Sequence, residues 1–351
     1  MAIIWPRLAE YWSIRSGCLT GISNFITFIR ASKESLMKSY ILVFCTILVS
    51  AVGSDISSAK ADTFGSGANA FEIEFVPIGQ PGNPPDANPN PAGAVPYRFR
   101  MGKYEVSEQM IDKANAEGGL GITKDTRGPD KPATSITWFE AARFVNWLNT
   151  STGHTAAYSF DGSGNYQLWQ PVDPGYDPSN LYRNEFARYF MPSLNEWHKA
   201  AYFDPVTGVY YDYPTGSDSV PDGIDFVGDP NFDAVFFDGG LNSGPTDIFD
   251  VGLASLYGTL AQGGNVAEWE ETAFDRSNTV AGKQRSDNGG NWGNAHTVML
   301  ASHTGIGITP SFGGDFLGFR VASIPEPTSL LLSVLLLPLL WCACRTNRFF
   351  I

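Results

Sequence analysis

Apolar and polar residues alternate at Phe71-Glu72-Ile73-Glu74-Phe75 and again at Tyr97-Arg98-Phe99-Arg100-Met101. Successive side chains of a strand point to opposite faces, so each stretch is predicted to be a strand with one buried face. Between them, Gln80 to Pro96 is crowded with Pro, Gly and Asn and is predicted to be a loop. Two helices follow from a different spacing. Thr137 and Glu140 form a Thr-x-x-Glu capping box, and Trp138, Ala141, Ala142, Val145 and Leu148 then fall on one helical face. Ser193 and Glu196 repeat the device ahead of Trp197, Ala200 and Ala201. After Phe203 the helical period stops, and Gly, Asp, Asn and Pro punctuate the chain. The expectation is an α+β domain with two main helices, short strands and long ordered loops.

The two ends carry apolar runs of another kind. Tyr40 to Val52 is uncharged, follows Lys38, and precedes Ala59-Lys60-Ala61, where Ala59 and Ala61 make a small-x-small cleavage site. Residues 37–61 are therefore predicted to be a signal peptide, too short in its apolar part to span a bilayer. Residues 1–36 read as a candidate mis-called extension, with Met37 the initiator. At the other end, Pro325-Glu326-Pro327 precedes a Leu-rich stretch from Ser329 to Cys344, with Arg345 and Arg348 after it. As a helix this stretch reaches ~24 Å, marginal against a ~30 Å hydrocarbon core. Residues 324–351 are predicted to be a sorting tail with a short transmembrane helix, basic end inward. Its order of motif, short apolar helix and basic end resembles the PEP-CTERM signal, which implies recognition and removal by an exosortase. A plain membrane anchor is the alternative.

The net charge of −13 excludes nucleic acid as an expected partner. All four cysteines (Cys18, Cys45, Cys342 and Cys344) lie outside the central domain, residues 62–323, so that domain has no disulfide framework. An acidic, cysteine-free domain rich in Gly and Asn suits an extracellular setting. The expected location is the cell surface, outer membrane or extracellular matrix of a Gram-negative-type bacterium, after transient insertion of the tail in the inner membrane.

Within the central domain, short motifs occur in a fixed order: Gly102-Lys103-Tyr104-Glu105-Val106-Ser107, Pro132 to Ala142, Met191 to Trp197, Gly263-Gly264-Asn265-Val266-Ala267-Glu268-Trp269, Gly289-Gly290-Asn291-Trp292, and Leu317-Gly318-Phe319-Arg320. Together they resemble the formylglycine-generating enzyme, or sulfatase-modifying factor, family over roughly Phe71 to Ser323. The resemblance implies the family's fold, a complex variant of the C-type-lectin-like architecture. It also implies an enzyme that oxidises a sulfatase cysteine to formylglycine with a copper-binding cysteine pair. Counted without gaps from Gly289-Gly290, those two positions fall on Asn294 and Met299, neither of which supplies a thiolate. The family's oxidation chemistry and its copper are therefore not expected.

Family members also bind calcium through loop oxygens, and this implies two structural metal sites. One would use Glu268 with the carbonyls of Gly264 and Val266; the other would use Asn231 and Asp238 with the carbonyls of Phe232 and Gly240. Ala261 stands where the family has Asn or Asp, and Glu268 as a locally paired residue is the competing reading. Trp269 and Trp292 read as core aromatics. Of the four histidines, His198 reads as a surface or packing residue; His296 and His303 read as backbone-bonded loop residues, or with Asp315 as a two-histidine-one-carboxylate iron site. The leading expectation is a non-catalytic module that binds extracellular polysaccharide or a surface protein. The alternatives are a metal-dependent oxidase or other enzyme with a cysteine-free site, and a purely structural surface protein.

Overall fold

The computed structural model describes residues 59–88, 91–223, 231–238 and 244–325. The predicted signal run up to Ser58 and the tail from Glu326 onward, including Pro327, lie outside the described residues. So does Gly240. Among the described residues no helix is long and apolar enough to cross a membrane.

The first sheet is antiparallel, in the order β1 (Lys60–Phe64), β2 (Phe71–Ile78), β3 (Phe99–Gly102), β11 (Ala322–Ser323) and β6 (Tyr189–Phe190). The alternation expected in β2 holds: Phe71, Ile73 and Phe75 are buried and Glu72 is exposed. Pro77 lies past the stretch that β1 covers, where a missing N–H costs no ladder bond with β1. Ala61, at the expected cleavage point, pairs with Glu74 inside β1. Asp62 ties the ends of this sheet together, taking Arg100 Nη1 at 3.1 Å and the Tyr189 hydroxyl at 2.9 Å. Burial alone would raise the Asp62 carboxyl; Arg100 and Tyr189 outweigh it and hold the group below its ordinary value.

The second sheet runs β10 (Leu317–Gly318), β7 (Ala267–Ala273), β8 (Arg285–Asn288), β9 (Gly307–Ile308). β10 is parallel to β7 and the other pairs are antiparallel, with an irregularity between Trp269 and Ala273. β4 (Ser159–Phe160) and β5 (Tyr166–Gln167) form a separate hairpin.

Among the described residues there are three α-helices, the two expected and one more. α2 (Trp138–Ser151) and α3 (Leu194–Tyr202) both begin with the reciprocal capping box read from the sequence. The additional helix is α1 (Glu108–Gly118), capped by Ser107 and closed by Gly119 in the left-handed conformation. It buries only Glu108, Ile111 and Ala114, and Met110 occupies the position where a capping-box Glu would sit, so its sequence carries little periodic signal.

The core lies between the sheets and α2. Trp138, Trp197 and Trp269 are fully buried, and each indole N–H has a partner: Glu270 O, Glu268 Oε2 and Ile136 O, at 2.9, 2.8 and 2.9 Å. Their apolar area is therefore gained without an orphaned donor.

Candidate functional site

The motif segments converge on one buried ion pair. Glu268, on β7, accepts from Arg320 Nε at 2.6 Å and from Trp197 Nε1 at 2.8 Å through one oxygen, and from Arg320 Nη2 through the other. Arg320 spends its remaining donors on the carbonyls of Gly102 and Leu260, at 3.0 and 2.8 Å. Both side chains are fully buried. Four stretches distant in sequence, around Gly102, Trp197, Leu260 to Glu268, and Arg320, thus meet at one guanidinium and one carboxylate.

Beside this pair, the Gly263-Gly264-Asn265 and Gly289-Gly290 turns are stitched to each other. Gly264 N–H donates to Gly289 O at 2.9 Å, and Trp292 N–H to Asn265 O at 3.0 Å. Gly264 has φ +84°, and a Cβ there would stand 2.2 Å from Val235 O, so only glycine fits. Asn265 itself has a positive φ and uses its amide to hold Glu105 Oε2 at 2.6 Å, while Val266 N–H holds the other Glu105 oxygen at 3.2 Å. Burial, with the Glu268 charge nearby, raises the Glu105 carboxyl well above its ordinary value despite Arg320.

The two positions that would carry thiolates are spent on structure. Asn294 Oδ1 accepts from Asn291 N–H at 2.9 Å, and its carbonyl accepts from Phe237 N–H at 2.8 Å. Met299 is buried among Tyr213, Ala234 and Phe236, and the Tyr202 hydroxyl donates to its carbonyl at 3.0 Å. The space beside it, bounded by Gly263, Gln262 and Pro214, is a void of about 10 Å³. That holds one water at most.

Both Glu268 oxygens face Arg320 and Trp197 rather than a loop cavity, so the local-pair reading describes its contacts. Asn231 and Asp238 are exposed, with Phe232 partly buried between them in sequence. His296 Nδ1 is 2.8 Å from the Tyr213 hydroxyl. His303 is part-buried, which lowers its pKa, and Asp315 lies 3.8 Å from Arg127. Among the described residues no group of three or more His, Cys, Asp or Glu could hold a metal ion, so the imagined iron site of His296, His303 and Asp315 is not formed. His198 is a packing residue, paired with Asp86 at 3.0 Å. Trp292 is partly buried against Val235 and Val251, and the Arg127 guanidinium lies 5.2 Å over its ring.

Sequence reading also missed three buried carboxyls next to this frame. Glu270, on β7, is pushed up to about 8, chiefly by burial, with the charges of Asp287 and Glu268 adding to it against a hydrogen bond from Asn288. One of its oxygens is buried with no partner. Burial raises Asp287 to about 6 against a bond from Ile306 N–H. Glu271 is also raised, by burial first, although Arg183, Asn180 and Tyr158 oppose it. The run Glu268-Trp269-Glu270-Glu271 looks like a polar segment, and nothing in it signals that every member is buried.

These features define a domain whose motif segments meet at one buried ion pair. The chain belongs to the sulfatase-modifying factor enzyme 1-like domain family, whose profile matches residues 72–324. Among solved structures, it is similar to Treponema denticola variable protein 1, at 18% identity and a TM-score of 0.55, covering 76% of this chain and 100% of that one. It is also similar to the crystal structure of CarF, at 18% identity and a TM-score of 0.54, covering 72% and 99%. At these identities the likeness establishes the fold alone. No curated protein sequence matches the chain.

Proposed function

We propose that the chain is an exported, surface- or matrix-associated module that keeps the sulfatase-modifying factor fold and binds rather than oxidises. One observation carries this reading. Where the resemblance calls for a copper-binding thiolate pair, the chain has Asn294 and Met299, and Met299 is sealed beside a void of about 10 Å³. The family's chemistry needs a pair of thiolates and a substrate thiol needs an approach; Asn294 and the buried thioether of Met299 supply neither. The Glu268–Arg320 pair, fully buried, meanwhile holds the loops through Trp197, Gly102 and Leu260. Extracellular polysaccharide or a surface protein is the partner class that suits an acidic exported domain, and an exosortase-type enzyme is the expected processor of the tail.

The test is co-sedimentation. The purified protein is mixed with the producing cell's washed extracellular polysaccharide, and separately with its isolated surface layer. Saturable retention in one of these, with no chemical change in the retained material, supports the reading. A chain that stays in the supernatant with both contradicts binding and leaves a purely structural role.

A further inference from the structure

A cavity of about 400 Å³ opens beside the β1–β2 pair, and it shares no lining residue with the Met299 void. Its volume is that of a small-molecule site. Glu72 and Glu74 line it from β2, Tyr104 from the segment after β3, Met110 from α1, and Phe249 from a loop far along the chain. The Tyr104 and Phe249 rings meet edge to face with centroids 5.0 Å apart, and Phe249 is 60% exposed. Glu105 also lines it, but both its oxygens are engaged by Asn265 and Val266.

One ammonium already meets two of the lining residues. Lys103 Nζ sits 3.1 Å from Glu74 Oε1 and 5.2 Å from the centre of the Tyr104 ring. A carboxylate and an aromatic face are the two groups that attract an alkylammonium most directly. Lys103 is one cation beside two carboxylates, and among the described residues no cation pairs with Glu72. A neutral ligand would leave Glu72 unanswered, and an anion would face two like charges.

We propose that this pocket takes a small organic cation, an ammonium on a short aliphatic stem. Its head meets Glu72 and Glu74, and its stem lies along Met110 and the Tyr104–Phe249 pair. The inference goes beyond the proposed function, since the sealed thiolate positions stand whatever this pocket binds.

The experiment is calorimetric titration of the full chain with the diamine cadaverine, and with pentanediol as its neutral counterpart. The diamine is expected to bind saturably at one site and the diol not to bind. Glu72→Gln, at an exposed and unpaired side chain, is expected to weaken binding severalfold with an unchanged melting temperature. Glu72→Gln with Glu74→Gln should weaken it at least about tenfold, and Phe249→Ala severalfold. Absence of saturation, equal binding of the diol, or an unaltered affinity in the doubly substituted protein overturns the proposal. So does diamine binding that salt abolishes but Phe249→Ala leaves untouched, because that is diffuse attraction to an acidic surface.

Discussion

Glu268 and Arg320 face each other in the fully buried interior, Nε to Oε2 at 2.6 Å, and between them they reach Trp197, Gly102 and Leu260. A buried ion pair gains its value from completeness: each charge has lost its water, so each must be matched. This pair is matched on both sides. Through it, motif residues distant in sequence are held together.

Glu268→Gln should therefore cost about 3–5 kcal/mol, a large part of the stability of an ordinary domain. The guanidinium would remain buried with carbonyl partners but without a counter-charge. Denaturant unfolding measures this directly. Glu268→Gln combined with Arg320→Met should cost less than the sum of the two single changes, because the second substitution removes the stranded charge.

The α2 cap is a smaller and more local element. Thr137 Oγ1 accepts from Glu140 N–H at 3.2 Å, and Glu140 returns a bond to Thr137 N–H at 3.0 Å. Thr137→Ala should cost about 1 kcal/mol in the same unfolding measurement.

The pH dependence has a defined sign. Glu270 is raised to about 8 and Asp287 to about 6, so both bind protons more tightly folded than unfolded. The stability they contribute is present below the unfolded carboxyl values. It is lost as pH rises, through about 6 for Asp287 and about 8 for Glu270. Asp62 and Asp86 are lowered, because their partners outweigh burial, and they act in the opposite direction: their contribution is lost as pH falls below the ordinary carboxylate range. Melting temperature is expected to peak in mild acid. Glu270→Gln should flatten the alkaline limb and raise the melting temperature at about pH 9 relative to the unchanged protein. An alkaline limb unaltered by that substitution would show that Glu270 is not the group responsible.

Much of the frame was readable from local pattern. β2 follows from its alternation, and α2 and α3 from their capping boxes, because these signals are written within a few residues. α1 was not readable, since its buried stripe is only Ile111 and Ala114 below a buried Glu108. The motif order identified the fold, but not what Glu268 does: its partner Arg320 lies in another motif, and spacing cannot say whether a carboxylate meets a guanidinium or a cation. The cavity was equally out of reach, because Phe249 joins Glu72 and Tyr104 only through tertiary contact. The iron site imagined for His296 and His303 failed for the converse reason. Closeness in sequence does not gather them with Asp315 into a ligand group, and His296 turns to Tyr213.

We propose that this domain does not perform its family's oxidation. The most direct measurement incubates the purified protein, supplied with copper and oxygen, with a sulfatase-motif peptide carrying the target cysteine, and then traps any peptide aldehyde with a hydrazide for mass spectrometry. The account predicts aldehyde at the level of the protein-free control. Aldehyde accumulating with enzyme concentration and time would contradict it.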